Sequence, residues 1–161
     1  MTAERPHPSF AIAHPAHLLA LGFGAGLSPR APGTVGTLVA WPLGWWLAGF
    51  PVVLVLPALV VLFLIGIWAC ELTGRHLGAA DHGAMVWDEI VAFLLMLAIL
   101  PRELGWQLGA FVLFRAFDIA KPPPIGAFEV RFKGGFGVMG DDLLAAGYTL
   151  LVLAILQRLF F

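Results

Sequence analysis

The chain has 161 residues, 60% of them hydrophobic and 12% charged, with a net charge of −1 and a mean hydropathy of +0.93. Soluble domains average about 25% charged residues, so the composition excludes a disordered chain, a nucleic-acid binder and most soluble enzymes. It points to an all-α integral membrane bundle. The single cysteine, Cys70, sits in an apolar run and excludes a disulfide framework or a cysteine-cluster metal site.

The first residues carry Glu4, two prolines and two histidines before any apolar stretch, which is not a signal-peptide pattern. Residues 1–15 read as a flexible cytoplasmic tail of a single domain covering 1–161. Ala16–Leu27 is apolar and glycine-rich but too short to cross, which fits an interfacial or re-entrant helix anchored by His17.

From Leu38 to Cys70 there are 33 residues without a charge. One helix of that length would measure about 50 Å, too long for a single crossing. Gly49-Phe50-Pro51 divides it, because glycine ends a helix and proline suits the next first turn. The pattern predicts helices over 34–50, 52–72, 86–100, 103–120 and 141–160, with a tight corner at Pro101-Arg102-Glu103. A span takes about 20 apolar residues, so about five transmembrane helices are expected.

Five crossings gather residues 1–33, 71–89 and 121–140 on one side, and that face with the adjoining helix ends holds 16 of the 19 charges. The basic residues divide seven to two in favour of that face, which places it in the cytoplasm. Trp45, Trp46 and Trp106 fall near the outer boundary and Trp68 and Trp87 near the inner one, as an aromatic belt.

Four motifs lie on the charged face. Pro32-Gly33-Thr34-Val35-Gly36-Thr37 opens a helix with unpaired N–H groups and a hydroxyl, which suits a phosphate or a plain cap by Thr34. Asp81-His82-Gly83-Ala84-Met85-Val86-Trp87-Asp88-Glu89 concentrates three carboxylates before an apolar run. One acid caps a helix; three repel one another unless a hard cation such as Mg²⁺ lies between them. His82 serves equally well as a proton shuttle or a turn residue. Arg115, Asp118 and Lys121 follow at i, i+3, i+6 and offer either an internal ion pair or cations for phosphate oxygens. Gly134-Gly135-Phe136-Gly137-Val138-Met139-Gly140-Asp141-Asp142 ends on a second acid pair, its glycines fit for close anion approach or a flexible turn.

The ordered set resembles the bacterial phosphatidylglycerophosphatase A family. The shared residues are Gly22-Phe23-Gly24, Gly26, Ser28-Pro29, Pro32-Gly33-Thr34 and Gly36, followed by Asp81-His82-Gly83 and Val86-Trp87-Asp88-Glu89. Phe114-Arg115, Asp118 and Lys121-Pro122 come next, then Gly134-Gly135, Gly137, Met139 and Asp141-Asp142. The resemblance runs from His17 to Gly147. Thr37 and Ala84 depart from the pattern, each standing where the family usually has serine; Ala84 is thereby removed as a catalytic group.

The resemblance implies a Mg²⁺-dependent inner-membrane phosphatase converting phosphatidylglycerophosphate to phosphatidylglycerol, its active site facing the cytoplasm. On that reading Asp81, Asp88, Glu89, Asp141 and Asp142 are the expected metal ligands. Gly33, Thr34, Gly36, Arg115, Lys121 and Gly135 are expected to bind phosphate. Asp118 and His82 join Asp88, Glu89, Asp141 and Asp142 as expected catalytic groups. A cation transporter would distribute acids across the bilayer depth, whereas here they stay at one rim. A phospho-alcohol transferase would carry an Asp-x2-Asp-Gly-x2-Ala-Arg signature that this chain lacks.

Overall fold

A computed structural model describes residues 5–160. All regular elements among these residues are helical. They are α1 (Pro8–Ala13), α2 (Pro15–Ala20), α3 (Pro32–Leu47), α4 (Val52–Leu77), α5 (Trp87–Ile99), α6 (Leu104–Ala120), α7 (Ile125–Arg131) and α8 (Gly134–Phe160), with a 3-10 segment at Gly22–Leu27.

The centre of the bundle is α5, which packs against α3, α4, α6 and α8. Ten of its 13 residues are buried, so it is an inner strut. At 1.5 Å per residue it is about 20 Å long, short of the roughly 30 Å hydrocarbon core. By length and apolarity, α4 and α8 qualify as membrane-crossing helices. The other two expected crossings, α3 with 16 residues and α6 with 17, form shorter rods beside them.

Helices of this apolar character gain little from burying Leu against Leu in lipid, so close approach of small residues carries the packing. On α3 the buried face is Gly33, Gly36, Thr37, Ala40 and Gly44. A Cβ at Gly36 would lie 2.8 Å from Val86, so α3 and the start of α5 meet backbone to side chain. Gly66 on α4 plays the same part against Met139 and Trp87.

Several expectations are corrected. Residues read as tail fold into α1, capped when His7 Nδ1 accepts from the Ser9 N–H at 3.3 Å; residues 1–4 lie outside the described residues. The interfacial run is α2 followed by the 3-10 segment, broken at Phe23 and Gly24 with φ of 55° and 102°. It docks on α4, where the His17 and His76 rings share a hydrogen bond of 2.8 Å between Nε2 and Nδ1. Trp87 is buried and donates from Nε1 to the Leu62 carbonyl at 3.2 Å, so it is not a belt residue. The glycine run 134–140 forms the first two turns of α8, which places Asp141 and Asp142 inside the helix instead of at its mouth.

Candidate active site

Antiparallel packing brings the starts of α3, α5 and α8 and the ends of α4 and α6 to one end of the bundle. The loop before α5 is built tightly. The Val86 N–H donates to the Ala20 carbonyl at 2.8 Å and the Met85 N–H to the His82 carbonyl at 2.7 Å. The Ala84 N–H donates to His82 Nδ1 at 3.1 Å. His82 is buried, and in this position it shapes the turn that delivers Asp88 and Glu89. Both acids occupy the first turn of α5, where the helix dipole favours negative charge.

Arg115 ties α5 to its own helix, α6. Its Nη1 donates to Glu89 Oε1 at 2.8 Å and to Asp118 Oδ2 at 2.7 Å, with all three side chains mostly buried. Gly33, in the first turn of α3, lies against this pair; a Cβ there would overlap the Glu89 carboxylate and sit 2.9 Å from Arg115 Nη2. Thr34, half-buried, is in the same turn. The first N–H groups of α3 have no carbonyl within the helix, so the turn adds partial positive charge beside Arg115.

A second cluster centres on Lys121. Its Nζ donates to Asp141 Oδ2 at 2.5 Å and lies 3.3 Å from Glu129 Oε2. Burial opposes the charge on Lys121, but Asp141 and Glu129 outweigh it and raise its pKa above the usual lysine value. Lys121 also ends α6 in the left-handed region at φ 41°, a strained conformation for a residue with a Cβ. Such strain persists where surrounding contacts hold it. A cavity of about 240 Å³ opens beside this cluster, lined by Asp81, Glu129, Lys133, Gly137 and Asp141 among others. Packing around the Asp81 carboxyl raises its pKa; Lys121 opposes the shift while Glu129 and Asp118 add to it.

Four buried polar atoms here lack a hydrogen-bond partner: Asp88 Oδ1, Glu89 Oε2, Asp142 Oδ2 and Arg115 Nε. Buried polar atoms are nearly always paired, so three orphaned acceptors and a donor mark a site built for ligands. Asp142 and Asp88 lie near enough to repel each other. Among the described residues no three acids or histidines enclose an ion by themselves. The set therefore fits an ion that takes one or two carboxylates and completes its shell with water and phosphate oxygens. Mg²⁺ coordinates in that way.

The model of the phosphatidylglycerophosphatase A family matches residues 18–157. A phosphatidylglycerophosphatase A of Haemophilus influenzae is 44% identical over 162 residues, covering 98% of both chains. The chain belongs to the phosphatidylglycerophosphatase A family. It is a phosphatase. The Escherichia coli phosphatidylglycerophosphatase A is 40% identical over 135 residues, covering 83% of this chain and 78% of its own. A relative from Bacteroides thetaiotaomicron, provisionally named a phosphatidylinositol-3-phosphatase, is 42% identical over 146 residues, covering 86% and 91%. No solved structure matches the chain.

Of the residues expected at the phosphatidylglycerophosphatase A site, Asp88, Glu89, Arg115, Asp118, Lys121, Asp141 and Asp142 gather at this end. Gly33 and Thr34 lie beside them and Asp81 at the cavity mouth. Two expectations change. The Gly135 N–H donates to Glu71 Oε2 at 2.8 Å, and its Cα rests on the Ile67 carbonyl; this glycine joins α8 to α4 and is not open to an anion. Gly36 packs on Val86, which makes it a helix-contact residue. Glu129 and Lys133 were not expected at the site. They lie on and just after a seven-residue helix too short to show a periodic pattern, and only their closeness in sequence to Lys121 hinted at them.

Proposed function

We propose that this phosphatase hydrolyses the terminal phosphate of phosphatidylglycerophosphate, with Mg²⁺ as cofactor, at a site facing the cytoplasm across the inner membrane. The observation that carries the reading is the buried, unpartnered set of Asp88 Oδ1, Glu89 Oε2 and Asp142 Oδ2 beside Arg115. The names of the relatives supply the lipid.

Asp88 and Asp142 would hold the ion, with Glu89, Asp141 and Asp81 around them directly or through water. When bound, Mg²⁺ supplies positive charge against the phosphate oxygens and lowers the pKa of water. The chain's own groups do the rest. Arg115, pinned by Glu89 and Asp118, keeps Nε free to donate to a phosphate oxygen. Lys121 and the N–H groups at Gly33 and Thr34 offset charge on the transferring oxygens. Water adds to phosphorus as the ester P–O bond breaks, and the lipid alcohol leaves with a proton. His82, at the turn before α5, is the histidine nearest in sequence to these acids and the candidate to pass that proton.

Lys133 on the cavity wall and Lys121 against Asp141 are the cations available to the second phosphate of the head group. Detergent-purified protein should release phosphate from phosphatidylglycerophosphate much faster than from phosphatidylinositol-3-phosphate, each presented in the same micelles. The opposite preference would overturn the substrate assignment.

A further inference from the structure

We infer that an apolar groove between α4, α5 and α8 seats one acyl chain of the lipid whose phosphate occupies the carboxylate site; this rests on the lipid-phosphatase reading above. The groove has a volume of about 370 Å³ and is lined by Leu56, Val60 and Phe63 of α4, Val91 and Leu95 of α5, and Leu143 of α8, over Leu59. That volume lies in the range of small-ligand sites. Its lining has no charged or hydrogen-bonding side chain, so only an apolar ligand loses nothing on entering it.

Its position selects the occupant. Leu143 directly follows Asp142, and Val91 is one turn beyond Asp88 on the same side of α5. Both acids carry unpartnered buried oxygens. One end of the groove therefore begins where the head-group site ends. From Phe63 to Leu56 it follows α4 for seven residues, about 10 Å, away from the charged end. A molecule with a phosphate at the acids and a hydrocarbon tail along α4 matches both halves at once.

The groove is concave, unlike the lipid-facing surface around it. Its floor is buried, with Leu59 and Val91 each 4% exposed, while its walls Leu56, Val60 and Leu143 stand 38–57% exposed. Neighbouring Val53, Leu54, Val61 and Leu64 are exposed without lining the groove, as residues facing bulk lipid are. The seat fixes the glycerol backbone relative to phosphorus, so its effect belongs mainly in KM for long-chain substrate.

The test compares dipalmitoyl and dibutyryl phosphatidylglycerophosphate with full-length protein in mixed micelles. Val60→Trp fills the groove from its exposed wall. It is expected to lower the long-chain to short-chain ratio of kcat/KM at least tenfold, chiefly through KM. Val112→Trp, on the outward face of α6, should leave the ratio at the wild-type value. An unchanged ratio in Val60→Trp, or an equal loss on both lipids, would overturn the seat and leave the groove to bulk lipid or helix packing.

A second measurement needs no folded variant. Phosphatidylglycerophosphate with a diazirine at mid-chain should label α4 between Leu56 and Phe63, and excess unlabelled substrate should suppress it. Labelling spread over α6 and the outer face of α4, or insensitive to competitor, would contradict the seat. Failure of wild-type protein to release phosphate from either lipid would instead overturn the function, since the labelling pattern reads the groove without turnover.

Discussion

Asp88, Glu89 and Asp142 each leave one buried oxygen unbonded while Arg115 is held from two sides. Unpaired buried acceptors cost free energy in the free protein, and a ligand that satisfies them recovers it. Gly33 guards this arrangement. An alanine there overlaps the Glu89 carboxylate, which is pinned to Arg115 and has nowhere to retreat. Gly33→Ala is therefore expected to displace the Glu89–Arg115 pair, lowering the unfolding transition in detergent and costing about a hundredfold in kcat, the scale of a small misplacement of reacting groups. Wild-type turnover would show that the Glu89–Arg115 pair does not position the reaction. At this scale the acids were legible, because charge is scarce in the chain and clusters at helix starts. Their pairing was not: nothing in spacing joins Arg115 to Glu89, 26 residues earlier, or Lys121 to Asp141 across the α6–α8 connection.

The helix over 104–120 follows the sequence pattern closely, whereas α4 starts at 52 as expected but runs five residues past the expected end at 72, carrying Glu71 and Arg75 within it to a glycine cap at Gly78. The start of α8 was hidden because glycine disfavours a free helix. In the bundle Gly135 admits the backbone of α4 at Ile67, Gly137 and Gly140 admit Phe132 and Phe128, and Glu71 of α4 caps the new start by accepting the Gly135 N–H. Glu71→Ala should lower stability by about 1–2 kcal/mol, as for one lost charged hydrogen bond, while Glu71→Gln should retain most of it; thermal unfolding of both variants checks this.

The α2–α4 contact carries a pH dependence. Burial lowers the His17 pKa below 6.5, the Phe10 carbonyl opposes that, and His76 and His14 add to it. With a depressed value in the docked state, the undocked ring takes its proton first as pH falls. Docking is then fully stable above about pH 6.5 and weakens below it. Hydrogen exchange over residues 8–20 should accelerate below that pH and stay flat in His17→Phe; equal acceleration in both proteins would exclude His17 as the cause.

Across the whole molecule, apolar helices α4 and α8 form the long axis, and the acids, arginine and lysine of the proposed site sit at one end of it. Composition pointed to a membrane protein, with which the two long apolar helices are consistent, and the scarcity of charge pointed to the proposed site. The depth of each helix was not legible, because α5 is as apolar as a span yet is sheltered by four other helices. Hydropathy measures what a segment tolerates, and neighbours decide whether it meets lipid.

The measurement that bears most directly on the account is phosphate release from phosphatidylglycerophosphate as Mg²⁺ is titrated into chelator-stripped protein, for wild type, Asp88→Asn and Asp142→Asn. The account predicts no release without the ion, saturable recovery in wild type, and no recovery in either variant although both unfold as wild type does. Full release in chelator, or undiminished recovery in both variants, would contradict it.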